Sequence, residues 1–139
     1  MTAFPSRRRL ALVTAMAVLI ARVSAAGAET PIDPAGPYRL GEAYADVPAT
    51  CETIRQWIDK APDTLDRVTL SIIGKLAAVE WDGTLAYLIM CDEPGVQVMC
   101  VTYSKENRKI GDTVLFAGGY GRAGERRIML DPCLAGPPD

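Results

Sequence analysis

Five short apolar runs, separated by turns and charged loops between residues 68 and 133, constrain the fold of this chain most strongly. In the first run, Val68, Leu70 and Ile72 alternate with polar residues, which is the period of a half-buried strand. Asp82-Gly83 then predicts a hairpin, because these residues tolerate the positive φ angles of a type I′ turn. The runs predict strands at 68–79, 85–91, 96–103, 113–117 and 126–130.

Close spacing of these strands leaves little room for long crossover helices. With Gly74 inside the first strand to mark a bulge or bend, the pattern predicts an all-β, small five-stranded OB-type Greek-key barrel. Gly118–Gly124 predicts a glycine-rich hairpin loop between the last two strands. The final strand is expected to stop at Asp131-Pro132, because proline cannot donate a backbone hydrogen bond.

Several short motifs within Val68–Leu134 resemble the exported OB-fold family called tRNA_anti-like. They are Ile73–Leu76, Val98–Val101, Gly111–Val114, Gly118–Tyr120 and Ile128–Leu134. The resemblance covers roughly half of the chain and implies an OB fold, and the family name implies nucleic-acid binding. The link between the third and fourth strands is too short for the helix that OB folds usually carry there. We therefore expect the helix before the first barrel strand to plug the open end of the barrel.

The region before the barrel divides into three parts. Residues 1–28 read as a cleavable signal peptide, with a basic start, an apolar run and small residues at the cleavage site. General secretion and the twin-arginine route both fit it. Residues 29–47 are rich in proline and predict a disordered or extended tail. Thr50 is expected to cap one short helix at 51–61, which begins the OB-fold domain at 48–134. Residues 135–139 predict an unstructured tail.

Four cysteines remain in the mature chain, and an even count in an exported domain predicts two disulfides. Three pairings are possible. We favour Cys100–Cys133, because the third and fifth strands are neighbours in an OB barrel, and this leaves Cys51–Cys91. Zinc is the competing interpretation, but the chain has no Cys-x-x-Cys and no histidine. No cofactor is expected.

The net charge of the mature chain limits the class of molecule that it can bind. Four of the 15 basic residues lie in the predicted signal, so 11 remain beside 17 acidic residues, a net charge of −6. Nucleic-acid binders usually carry a basic surface, so this balance disfavours nucleic acid. Catalysis is not expected either, because histidine, a nucleophile elbow and a phosphate-binding loop are all missing from the sequence.

One cluster of residues predicts a ligand site. In OB folds the loop between strands four and five and the face of strands two and three commonly hold the ligand. Arginines and aromatic rings there could hold an extended anionic or sugar ligand by charge and stacking. A simple turn with solvated arginines remains the alternative. The candidate ligand residues are Tyr87, Tyr103, Tyr120, Arg122, Arg126 and Arg127.

Together these features predict a non-catalytic binding module, periplasmic or secreted, that recognises a protein partner or an envelope glycan. A single-stranded nucleic-acid binder is the alternative. The expected state is a monomer or weak oligomer without an integral membrane span.

Overall fold

The computed structural model describes residues 31–138, so the signal peptide predicted at 1–28 lies outside the described residues. The described chain is mostly strands, with one short helix. In chain order the elements are β1 (Tyr38–Leu40), β2 (Ala49–Thr50), α1 (Ile54–Ile58), β3 (Val68–Trp81), β4 (Ala86–Met90), β5 (Gln97–Thr102), β6 (Thr113–Gly124) and β7 (Arg127–Gly136). None of the described helical residues form a helix of the length and apolarity that a bilayer crossing needs.

Five strands close into a barrel, which confirms the predicted all-β architecture. Around the barrel they run β3, β4, β5, β7 and β6, and β6 returns to pair with β3. The β5–β7 pair is parallel and the other barrel pairs are antiparallel. Inside the barrel one apolar cluster is formed by alternate residues of each strand, as the buried positions of β4 show.

The long strand β3 is shared by both halves of the barrel. Residues 69–75 pair with β6, and residues 76–81 pair with β4. The change of partner falls next to Gly74. A Cβ there would lie 2.8 Å from Cys51 Sγ and 2.9 Å from Met90 Sδ. The irregularity in β3 lies between Leu76 and Ala78 and not at Gly74. At Gly74 the missing side chain leaves room for the Cys51–Cys91 disulfide.

Both predicted disulfides are confirmed, Cys100–Cys133 and Cys51–Cys91. The first joins the neighbouring strands β5 and β7. The second joins the residue that follows β2 to the end of β4. Each bridge constrains the unfolded chain and contributes about 2–4 kcal/mol of stability.

The helix is shorter than predicted, Ile54–Ile58 in place of residues 51–61, and Thr53 rather than Thr50 is its N-terminal cap residue. Ile54 and Ile58 are buried in the barrel cluster. This is the packing expected of a helix that plugs a barrel end. The link between β5 and β6 contains no helix, as the sequence predicted.

The disordered alternative predicted for the tail at 29–47 is wrong for much of its described part, 31–47, whereas the extended alternative holds at β1. Tyr38 is 3% exposed, and β1 pairs with the start of β3. The Ser71 N–H donates to the Pro37 carbonyl over 3.0 Å, and the Gly41 N–H donates to the Arg67 carbonyl over 2.8 Å. One buried aromatic ring and a few backbone hydrogen bonds hold a proline-rich segment that has little other apolar content.

Two strands are longer than predicted. Gly118–Gly124 belongs to β6 and is not a loop, so the turn is only Glu125-Arg126. Strand β7 passes through Pro132 and reaches Gly136, into the segment predicted as an unstructured tail. The register shifts opposite this proline, between Gly118 and Tyr120. An irregular ladder tolerates a residue without an N–H, which explains why the strand continues.

Candidate functional site

Tyr120 belongs to the packing between the barrel and the N-terminal segment. Its ring meets the ring of Tyr38 edge-on, with 5.3 Å between the centroids. The Tyr38 hydroxyl donates to the Trp57 carbonyl over 2.9 Å. Burial raises the pKa of both tyrosine hydroxyls. These contacts account for the Tyr120 ring, but its hydroxyl is buried without a hydrogen-bond partner among the described residues.

Arg122 connects β6 to the C-terminal end of α1. One guanidinium nitrogen donates to the Ile58 carbonyl over 3.2 Å and to Asp59 Oδ1 over 3.0 Å. The other two nitrogens donate to the carbonyls of Gly124 and Glu125, over 3.1 and 2.9 Å. A cation at a helix C-terminus satisfies carbonyls that have no partner within the helix. The donors predicted to face a ligand are therefore already occupied.

Arg126 and Arg127 lie at the turn between β6 and β7. They line a groove of about 530 Å³ beside the β4–β5 turn. Arg126 donates to the Pro94 carbonyl over 3.0 Å. Glu93 and Glu125 line the same groove, so its charge is mixed. A purely basic site for an anion is not formed here.

Tyr87 lies on a different surface, the outside of the barrel at β4. Its hydroxyl donates to Asp82 Oδ2 over 2.8 Å. That hydrogen bond raises the pKa of Tyr87, and burial and the charges of Asp82 and Asp131 add to the effect. Asp82 also accepts backbone hydrogen bonds from Leu85, over 2.7 Å, and Thr84, over 2.8 Å. Together with the Tyr87 hydroxyl, these N–H groups lower the pKa of Asp82, Leu85 contributing most.

The same surface carries apolar residues that the sequence analysis did not select. Ile89 pairs with Met99, and Met99 pairs with Met129, so the three form one row across β4, β5 and β7. In the next row Tyr87 pairs with Val101. We call this surface the outer face; its members are Tyr87, Ile89, Met99, Val101 and Met129, of which Val101 is buried at 7% exposure.

Within residues 31–138, the strands and helix outside the barrel make their main contacts with β3 and with one another, not with the outer face. The loop before β3 lines one groove together with Met129, at the edge of this face. Met129 is 37% exposed, and Ile89 and Met99 are half-buried. One signal in the sequence could have revealed this face. The predicted second and third strands are apolar at nearly every position, not only at alternate ones. Strands that are apolar at nearly every position are usually buried on both faces of their sheet, whereas strands buried on one face alternate apolar and polar residues.

Tyr103 follows β5 and is 78% exposed. It lies beside a smaller pocket that also contains Tyr44 and Leu134. The structure brings Tyr120 and Arg122 together at one groove and Arg122 and Arg126 at another. Tyr87 and Tyr103 lie apart from these residues, near β4 and β5. Among the described residues, no group of three or more acidic, cysteine or histidine side chains is arranged to hold a metal.

Comparison with protein-family models, curated proteins and solved structures found no match. The resemblance to the tRNA_anti-like family therefore stays a prediction.

Proposed function

We propose that this chain is an exported OB-type binding module that recognises a protein partner through the outer face. The observation that carries the proposal is the row Ile89–Met99–Met129, which lies on the barrel surface without a covering element in residues 31–138. Methionine and aromatic residues are enriched at protein interfaces relative to other surfaces. A contiguous apolar patch on a small domain marks an interaction site.

Export is supported by two independent features. Two disulfides close a small domain, and structural disulfides persist in oxidising compartments. The first 28 residues have the basic and apolar pattern of a cleavable signal. The strand order of the barrel, with its parallel contact between β5 and β7, supports the OB-type assignment.

The chemistry of the outer face favours a protein over the other expected ligands. A glycan would need aromatic rings to stack on, and the face offers one, Tyr87, whose hydroxyl is bound to Asp82. Single-stranded nucleic acid would meet Asp82 and Asp131 beside that ring, within a domain of net charge −6. Repulsion of phosphate opposes that interaction.

Site-specific photo-crosslinking tests the proposal. A benzophenone amino acid would replace Met99 in the full chain, expressed in the source cells, and a matched variant would carry it at the exposed Lys105 on the β5–β6 loop. We expect a discrete adduct with an envelope protein from position 99 and none from position 105. The further substitution Met129→Asp should abolish the adduct, because it places a charge in the apolar row.

Equal labelling from both positions, or an adduct that persists with Met129→Asp, would contradict the proposal. A fluorescence titration with single-stranded oligonucleotides at low salt covers the alternative. If the oligonucleotide binds and its affinity falls steeply with added salt, the partner is a nucleic acid and not a protein.

A further inference from the structure

Three of the large exposed apolar side chains in the described chain lie around one pocket. Tyr44 is 57% exposed, Tyr103 is 78% exposed and Leu134 is 64% exposed. They line a pocket of about 310 Å³ between residues 42–44 and the ends of β5 and β7. Single exposed apolar residues are ordinary, whereas several around one concavity are characteristic of a binding site.

One wall of the pocket is a strap, which we define as residues 41–45, and it is tied to β3. The Gly41 carbonyl accepts a hydrogen bond from the Thr69 hydroxyl. The Ala45 N–H donates to the buried Ser71 Oγ over 3.0 Å. Glu42 pairs with Arg67 over 3.0 Å. These contacts position the strap, so the pocket is formed before any ligand arrives.

The opposite wall is fixed by a disulfide. Cys133 lines the pocket and is bonded to Cys100 in β5. Leu134 is the residue after Cys133 within β7, and Tyr103 directly follows β5, so both lie on strands that this bridge joins. The exposed side chains therefore project from rigid elements, which lowers the entropy lost when a partner binds.

The pocket, named here the strap pocket, is continuous with the outer face. Tyr103 lies two residues after Val101 along the same strand direction. On β7, Pro132 lines the pocket and follows Asp131, whose charge acts on Tyr87 of the outer face. A partner that covers the outer face and extends along β5 and β7, past Asp131, reaches the strap pocket.

We propose that the strap pocket receives one bulky apolar side chain, such as tryptophan, phenylalanine or leucine, from the protein partner. This inference rests on the proposed function. The lining is mainly apolar, and its two charged groups, Glu42 and Arg67, pair with each other at the rim. Interfaces commonly concentrate their affinity in one such anchor seated in a preformed pocket.

An NMR titration of the oxidised, full-length mature protein tests the pocket without the partner. The probes are N-acetyl-tryptophanamide and N-acetyl-leucinamide, with N-acetyl-glutaminamide as the polar control. We expect saturable shifts of Tyr44, Tyr103 and Leu134 with the apolar probes only. Leu134→Ser and Tyr103→Ser should each weaken the binding about tenfold. Ile110→Ser, at an exposed apolar residue outside the pocket, should leave it unchanged.

The outcomes separate the two proposals. Absence of saturable shifts, or equal shifts with the glutamine probe, overturns the pocket assignment even when crosslinking from position 99 succeeds. If the apolar probes bind saturably but position 99 gives no crosslink, the proposed partner at the outer face is overturned. The strap pocket then remains as a site for an apolar ligand. Sedimentation that shows dimers lost on Leu134→Ser overturns the assignment in favour of a second copy of this chain.

Discussion

The glycine–arginine segment, residues 118–127, and the outer face differ in how their side chains are used. The segment carries the residue types that most often bind ligands, yet Arg122 and Arg126 donate to backbone carbonyls of the same chain. The outer face carries aliphatic and thioether groups that are common in protein cores. Met129 of this face is 37% exposed, and none of the described strands or helices outside the barrel has its main contacts there.

This difference shows that residue type is a poor guide to a site until its partners are known. Arginine near a helix end or a tight turn meets carbonyls without partners, and these compete with any ligand. An apolar side chain on a sheet surface has no such internal competitor. Where such a side chain stays partly exposed, as Met129 does, a second molecule can cover it, which makes the outer face the better candidate.

The largest change in stability is expected from a substitution in the glycine–arginine segment. A Cβ at Gly118 would lie 2.7 Å from the Pro132 carbonyl oxygen and 2.9 Å from Leu130 Cβ. Gly118→Ala must therefore push β6 away from β7, and we expect a loss of about 3 kcal/mol in the free energy of unfolding. Urea denaturation of the oxidised domain measures it. At Gly121 the nearest atom would be 3.5 Å away, so Gly121→Ala is the matched control.

If Gly118→Ala lowers the free energy of unfolding no more than Gly121→Ala does, β6 and β7 are not closely packed at Gly118. The segment would then be free to act as a loop, and its difference from the outer face would disappear.

A smaller effect is expected at the two arginines. Arg122→Met removes the hydrogen bonds to the end of α1, and we expect a loss of about 1–2 kcal/mol, discounted because the side chain is 39% exposed. Arg127→Met, at an exposed position on the turn side of β7, should change the free energy of unfolding by less than about 0.5 kcal/mol. Thermal or urea unfolding of both variants compares them. Equal losses would show that Arg122 has no special structural role.

The smallest effect is the pH response at the edge of the outer face. Hydrogen bonds hold the pKa of Asp82 below its ordinary value of 3.8. The stability that this carboxylate contributes is therefore fully present above that value and is lost as the pH falls toward the lower, folded-state pKa. In Asp82→Asn, the urea midpoint should fall less steeply between pH 4 and pH 2 than in the wild type. Identical slopes would show that the Asp82 contacts do not form in solution.

Much of the fold could be predicted because it depends on local signals. Alternating apolar residues located the strands, and the barrel expectation then identified the disulfide partners, as Cys100–Cys133 shows. The extent of the strands could not be predicted. Glycines 118–124 have a turn composition, and only the close approach of β7 makes that composition suitable for a strand. The proline-rich start was misread because a single residue, Tyr38, anchors it.

The candidate site was harder to predict than the fold. Tyr87 and Tyr103 were selected for their aromatic rings and do lie at exposed surfaces near β4 and β5. Met99 lies in a run that is apolar at nearly every position, but nothing in the sequence pairs it with Met129. They become neighbours only through the parallel β5–β7 register, which links residues far apart in the chain.

The division of β3 between two partners has a consequence for how the chain folds. Its second half meets β4 across a short turn, with Trp81 opposite Ala86, and hairpins of this kind form within about 1–10 μs. Its first half must wait for β6, since Thr69 pairs with the distant Gly119 and long loops close slowly. Until then residues 69–75 present an open backbone edge. An open edge of this kind is a template for pairing with another chain, so we expect closure of the β3–β6 ladder to protect the folding chain from aggregation.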